Sequence, residues 1–162
     1  MGHGAQQPTS VTVNNTLANP VPVDVQNQLS TKAADNPAFQ AYDEFRTTTV
    51  LPGNIQADFS YDLPVGKRLV IEFVTVSVIV PAGQNVFGVT VYTGGISKQH
   101  YIPVISQGTD TNGLARFVAA QQTKLFAEAG GSEAFHISIA RNSSSGQFLA
   151  GVSVSGHLVD IP

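Results

Sequence analysis

Cysteine and tryptophan are absent from this chain of 162 residues. Without cysteine it has no disulfide, no thiolate nucleophile and no cysteine-ligated metal. Charge is also scarce, because Asp, Glu, Lys and Arg make up only 12% of the residues, against about 25% in an average globular protein. A weakly charged surface repels its own copies little and so favours close packing between them. The alternative is a soluble domain whose charge is merely low.

The distribution of charged and apolar residues argues against nucleic acid and against membrane insertion. The eight Lys and Arg residues are scattered and the net charge is −3, so we expect no nucleic-acid partner. The longest apolar run, Leu69 to Val80, contains Glu72 and is shorter than the ~20 residues of a membrane helix, so we expect no membrane insertion. The first ten residues lack signal-peptide regions. The compartment stays open, with an extracellular or particle-associated location favoured.

Two regions of the chain differ in character. Residues 1–36 are polar and contain prolines, and they predict an extended N-terminal arm. Residues 37–162 are rich in β-formers separated by Gly and Pro turns. We count eight or nine strands there, including a long one from Arg68 to Val80 that is apolar on both faces. The sequence therefore predicts an all-β domain, a jelly-roll-like β-sandwich.

Patterning weakens in parts of the domain. Residues 37–47 fit a short helix or a strand, and we favour a strand. Residues 86–93 alternate, which predicts that Phe87, Val89 and Val91 share one face. A strand from His100 to Ile105 contains a proline, so it should lie near a sheet edge.

The segment that follows is the least regular of the domain. We predict a loop over residues 107–113. Residues 114–120 and 123–127 fit two weak strands or one short helix.

Two clearly alternating strands end the chain, around the turn Asn142–Gly146. We predict that they form a hairpin with one apolar face and one face of small groups. Such a flat face would let another sheet or subunit approach closely; plain solvent exposure is the alternative. The interface residues predicted on it are Ser138, Gly151, Ser153 and Ser155.

The arm contains two similar alternating stretches, VTVNN and VDVQN. We predict that they add to a sheet edge, where backbone hydrogen bonds give affinity. An edge of a neighbouring copy is favoured over an edge of the same domain, and a disordered tail is the remaining alternative. The predicted contact residues are Val11, Val13, Val23 and Val25.

No catalytic or cofactor motif is present. There is no nucleophile elbow and no phosphate-binding glycine loop. His136 and His157 would share the polar face of the last hairpin but at an offset, so we predict no metal site. Glu72 interrupts an apolar strand and, if buried, needs a cation; the candidates are Lys67, Arg68, Arg116 and Arg141. We interpret it as structural, and the chain as a non-enzyme.

Sugar binding would need exposed aromatic rings for stacking. Tyr92 and Tyr101 flank the Gly94–Gly95 turn and form the candidate platform for a glycan. The alternative is that they are ordinary strand tyrosines.

Two segments resemble a known group of sequences. LPVGKRLVIEFV, from Leu63 to Val74, and SGHLVDIP, from Ser155 to Pro162, resemble bacterial β-domain proteins that share a PAGKRLVIE strand and a closing SGYLVD. Val65 replaces Ala and His157 replaces Tyr. The arm's VTVNNT and NPVPVDVQN resemble the Val-Asn-Thr-Pro repeats that precede such domains. The resemblance covers about two-thirds of the chain and implies no activity or cofactor.

Taken together, the low charge, the arm and the small polar face favour a non-enzymatic assembly protein. We expect it to associate with copies of itself as a fibre, tube, stalk or closed oligomer. The alternatives are a lectin-like module that binds a glycan and a virion- or tail-associated head domain.

Overall fold

The structure, a computed structural model, describes residues 40–94, 98–129 and 134–161. Within these ranges the chain forms nine strands and no helix, so none of the described residues forms a membrane-spanning helix. The strands are β1 (Ala41–Val50), β2 (Gln56–Tyr61), β3 (Lys67–Pro81), β4 (Val86–Thr93), β5 (Lys98–Ile102), β6 (Ile105–Thr109), β7 (Leu114–Glu128), β8 (Phe135–Arg141) and β9 (Phe148–Asp160). The prediction of an all-β fold is confirmed for the part of the chain that the structure describes. The arm, residues 1–36, lies outside the described residues.

The strands form two antiparallel sheets. One has five strands in the order β1-β9-β3-β7-β6, and the other has four in the order β2-β8-β4-β5. The chain changes sheet after most strands, so neighbours in sequence face each other across the core. The result is a β-sandwich-like fold.

Alternation along each strand builds the core between the sheets. β2 alternates exposed and buried residues without exception, which is the pattern of a sheet with one wet face. Burying one large aliphatic side chain contributes about 1.5–3 kcal/mol, so the two inner faces stabilise the fold mainly through these residues. Side chains less than 1% exposed from both sheets meet there: Leu69, Ile71, Val74, Val78, Val80, Val91, Ile137, Ile139, Val152 and Val154.

The predicted last hairpin is wrong. β8 pairs with β2 and β4, whereas β9 pairs with β1 and β3. The two strands lie in different sheets and turn their apolar faces towards each other across the core. Alternation predicted each strand and its apolar face, but it carries no information about which strands share hydrogen bonds.

Arg141 fixes this crossing from one sheet to the other. Its side chain is fully buried, and its two terminal nitrogens donate hydrogen bonds to four oxygens at 2.7–3.1 Å. The acceptors are Gln84 Oε1 and the carbonyls of Asn54, Ser145 and Gly146. The guanidinium carbon also lies 4.5 Å from the centre of the Phe148 ring. The charge therefore ties three loops together at one end of the sandwich.

Several local predictions also need correction. Phe87 is the extra residue of a bulge between Val86 and Gly88, which turns it outward and leaves it 67% exposed, while Val89 and Val91 face the core. Residues 107–109 of the predicted loop (107–113) belong to strand β6. Residues 114–128 form one continuous strand rather than two strands or a helix, because long-range pairing with β3 determines their conformation.

Other local predictions are confirmed. Most of residues 37–47 that the structure describes lie in β1, as a strand. The edge position predicted for the strand from His100 is confirmed, because β5 is an edge strand of the four-stranded sheet. Its predicted end at Ile105 is wrong: β5 ends at Ile102, before Pro103, and Ile105 begins β6 in the other sheet.

Candidate functional site

The predicted interface residues divide between two outer faces. Gly151, Ser153 and Ser155 lie on the outer side of the five-stranded sheet, in β9. Ser138 lies in β8 of the other sheet and is 7% exposed. The structure therefore does not bring Ser138 together with the other three. A role of any of them in assembly stays a prediction.

The outer side of the five-stranded sheet has a central area without charge, here called the uncharged face. Cross-strand pairing aligns Phe45 with Ser153, Thr47 with Gly151, and Thr49 with Leu149. Its members project outward from β1, β9, β3 and β7: Phe45, Thr47, Thr49, Leu149, Gly151, Ser153, Thr75, Ser77, Ile79, Val118 and Ala120.

A raised and a hollow area lie close together on this face. The Phe45 ring is 69% exposed and lies over Gly151, where an added Cβ would be 3.6 Å from the ring. Further along the same strands, Thr49, Ile79, Leu114, Phe148 and Leu149 surround a depression of about 250 Å³. The face thus carries a protruding ring and an apolar hollow on either side of the Thr47–Gly151 pair.

Charged groups lie around the uncharged face. Arg116, which lies opposite Ile79 on β7, contacts Asp110 at 3.3 Å. Asp43 projects outward on β1, two residues before Phe45. Arg68 contacts Glu128 beyond the opposite end. Arg46 contacts Glu44 on the inner side of β1. None of these ion pairs crosses the uncharged face.

A bulge in β3 shapes the far end of the same sheet. The register of β3 against β7 and β9 shifts between Ile71 and Phe73, so Glu72 stands out of the alternation. The carbonyl of Ile71 accepts a hydrogen bond from Thr123 Oγ1 at 2.8 Å. A Cβ on Gly156 would lie 1.9 Å from the Val70 carbonyl oxygen, so only glycine fits there. Residues of both neighbouring strands, Thr123 in β7 and Gly156 in β9, therefore accommodate the bulge of β3.

The bulge opens a depression of about 720 Å³ on the outer surface, here called the bulge pocket. Glu72 Oε1 lies 3.3 Å from Nδ1 of His157, although Nδ1 is buried and makes no aligned hydrogen bond to the described residues. The walls are Val70, Glu72, Phe73, Gln122, Thr123, Lys124, Phe126, Ser155 and His157.

None of the candidate cations contacts Glu72, and the condition under which one was expected, burial of Glu72, is not met. Lys67 contacts Asp160 at 2.5 Å, and Arg68, Arg116 and Arg141 have the partners described above. Glu72 is half exposed at the bulge, so water solvates it and no buried ion pair is required.

His136 and His157 lie on different sheets rather than on one hairpin face. The ring of His136 stacks on Tyr92 with centres 4.4 Å apart, while His157 faces Glu72. No group of three or more metal-ligating side chains occurs among residues 40–94, 98–129 and 134–161.

The predicted tyrosine platform lies on the outer side of the four-stranded sheet. Tyr92 pairs with Gln99, and Tyr101 pairs with Thr90, so the two rings project from diagonal positions on one face. Tyr92 is half-buried by its stack on His136, whereas Tyr101 is 72% exposed and donates a hydrogen bond to Gln99 Oε1 at 2.9 Å. Binding of a glycan there stays a prediction.

Sequence reasoning missed the bulge pocket, although two signals pointed to it. Glu72 is an acid within an otherwise apolar strand. Gly156 is an isolated glycine within a strand, which is typical of a bulge or of a close approach of another backbone. The two residues belong to different strands, and only the pairing of β3 with β9 brings them together. The predicted contact residues Val11, Val13, Val23 and Val25 lie outside the described residues.

Comparisons with known proteins place the chain in no family. No protein-family model and no curated protein sequence matches it. Solved structures that match include the NLP core of Drosophila, whose crystal structure provides insight into pentamer formation and histone binding by that protein. The alignment covers 72% of this chain and 98% of that chain, at 18% identity and a TM-score of 0.31. A likeness this weak carries no argument about function.

Proposed function

We propose that the protein is a non-enzymatic assembly subunit whose uncharged face packs against the same face of a second copy. The observation that supports this most is the presence of a protruding ring and an apolar hollow on one face. Phe45 and the hollow at Thr49 and Leu149 lie on opposite sides of the Thr47–Gly151 pair. A two-fold axis through that pair would place each Phe45 ring in the hollow of the partner, as an isologous interface requires.

The charge of the face is compatible with this arrangement. The chain carries a net charge of −3, yet the uncharged face contributes none of it, so two copies meet there without like-charge repulsion. Its members span five residues on each of three strands and three on β7; four strands about 4.8 Å apart and five residues at about 3.3 Å per residue give a flat area of at most about 320 Å². Two copies would then bury about 640 Å², below the ~1,000 Å² of specific stable interfaces. We therefore expect a weak, concentration-dependent association.

We further propose that the sandwich is a jelly roll. Four antiparallel pairs are nested in sequence: β1 with β9, β2 with β8, β3 with β7, and β4 with β5. A long hairpin rolled into two sheets gives this nesting. β6 would then be an additional strand at the edge next to β7.

The mass of the intact protein in solution tests the assembly proposal. Light scattering after size exclusion should give a multiple of 17.0 kDa. Phe45→Ala should weaken association at least tenfold by removing the ring, and Ser153→Arg should do the same by introducing a charge. Phe87→Ala is the matched control, because Phe87 is 67% exposed against 69% for Phe45 but belongs to the other sheet.

Two results would contradict the proposal. A wild-type protein that stays at 17.0 kDa at high concentration would exclude self-association. An oligomer that survives both Phe45→Ala and Ser153→Arg but dissociates in Phe87→Ala would place the interface on the four-stranded sheet instead.

A further inference from the structure

The bulge pocket contains polar groups that the fold does not use. Among the described residues, the side chains of Glu72, Gln122 and Lys124 make no hydrogen bond to the protein, and the one close contact of Glu72 is to His157 at 3.3 Å. A carboxylate, an amide and an ammonium together offer both acceptors and donors. They converge on the same depression of about 720 Å³, which is within the size range of small-molecule sites.

Two aromatic rings flank these polar groups. Phe73 is 41% exposed and Phe126 is 49% exposed, although burial in a core would be the usual fate of such rings. In the register of β3 against β7, Phe73 pairs with Gln122 and Phe126 pairs with Val70. The rings therefore stand at opposite ends of the pocket, on neighbouring strands, with Glu72 and Lys124 between them.

The bulge is an irregular feature at the centre of the five-stranded sheet. β3 is the middle strand in the order of this sheet, where a bulge interrupts a ladder on both sides, whereas bulges are more usual at edges and beside active sites. Thr123 and Gly156 both accommodate it, through the bond to Ile71 and through the missing Cβ. Its structural effect is to place Glu72 on the surface between the two phenyl rings.

We propose that the bulge pocket binds a neutral carbohydrate. The aliphatic C–H faces of a sugar pack on Phe73 and Phe126, and its hydroxyl groups bond to Glu72, Gln122 and Lys124. The charges of Glu72 and Lys124 offset each other, so the pocket has no field that would select an anion or a cation. This site is distinct from the tyrosines on the other sheet and does not depend on the assembly proposal.

A glycan array that carries neutral, sialylated and sulfated glycans tests this site with the intact chain. We expect retention on a subset of the neutral glycans. Phe126→Ala should reduce the affinity for those glycans at least tenfold by removing a stacking surface, and Glu72→Gln should reduce it by removing an acceptor. Tyr101→Ala is the control, because this ring is also exposed but projects from the four-stranded sheet.

Each other outcome overturns the proposal. An array without any retention excludes the site, and retention on acidic glycans alone excludes a neutral ligand. Binding that is lost in Tyr101→Ala but kept in Phe126→Ala assigns the glycan to the tyrosine platform. Amide NMR spectra of each variant, compared with the wild type, separate loss of binding from loss of fold.

Discussion

Replacing Arg141 should be the most destabilising single change at the ends of the sandwich. The guanidinium is fully buried, and burial lowers its pKa. No carboxylate lies in salt-bridge contact with it among the described residues. Four oxygens accept its hydrogen bonds instead. Arg141→Ala would leave three of these acceptors without a donor, since only the Ser145 carbonyl also accepts a bond from Gln84 Nε2 at 2.6 Å, and it would open space beside Phe148.

The size of the effect follows from two opposing contributions. A hydrogen bond to a charged group contributes about 1.5–3 kcal/mol, so four of them contribute about 6–12 kcal/mol. Burial of the guanidinium offsets several kcal/mol of this. We expect Arg141→Ala to cost about 3–5 kcal/mol, the usual cost of breaking a buried charged network. Arg141→Met should cost nearly as much, because it fills the space but leaves three of the acceptors unpaired.

Urea unfolding at equal protein concentrations measures the loss. With a slope of about 2 kcal/mol/M, the midpoint of Arg141→Ala should fall by about 2 M. Arg68→Ala is the control, because Arg68 makes an ion pair with Glu128 at the surface and exposed pairs contribute at most about 1 kcal/mol. If the midpoint of Arg141→Ala stays within about 0.5 M of the wild type, or if Arg141→Met is more stable than the wild type, the four hydrogen bonds do not stabilise this end.

Three further predictions concern the bulge, the pH dependence and the arm. Gly156→Ala should lower the urea midpoint strongly, because its Cβ would lie 1.9 Å from a carbonyl oxygen, whereas Gly151→Ala has 3.4 Å of room and should change the midpoint little; equal midpoints would refute this. Partial burial raises the pKa of Glu44, but hydrogen bonds from neighbouring side chains outweigh this effect and hold the pKa below its ordinary value. Its stabilisation is therefore present above the unfolded pKa of about 4.3 and is lost as the pH falls through the folded value. The stability difference between wild type and Glu44→Gln should then shrink from pH 7 to pH 3, and a constant difference would contradict it. Deleting residues 1–36 should leave the circular dichroism of the sandwich unchanged but reduce the assembled mass, whereas a native mass would show that the arm links no subunits.

The sequence predicts strands better than it predicts their partners. Alternation located β4 and the last two strands closely, since burial on one face repeats every second residue. Pairing is decided by contacts between distant segments, and this is why β8 and β9 were wrongly placed in one hairpin. Bulges have the same origin: Phe87 points outward because one extra residue shifts the register, and the local sequence around it still alternates.

The low charge of the composition bears on self-association only once the positions of the charged side chains are known. The cations of Arg46, Lys67, Arg68 and Arg116 all lie in ion pairs, and these pairs occupy the inner side and the ends of the five-stranded sheet. The middle of its outer side therefore has no charge, although the strands that form it include charged residues. The arrangement leaves an area that a second sheet could cover, as proposed, without desolvating an ion, which is the costly step in burying a charged surface. The cost of desolvating ions also distinguishes the uncharged face from the bulge pocket. Glu72 and Lys124 are solvated at the bulge, so a ligand that displaces this water must offer hydroxyl groups in its place.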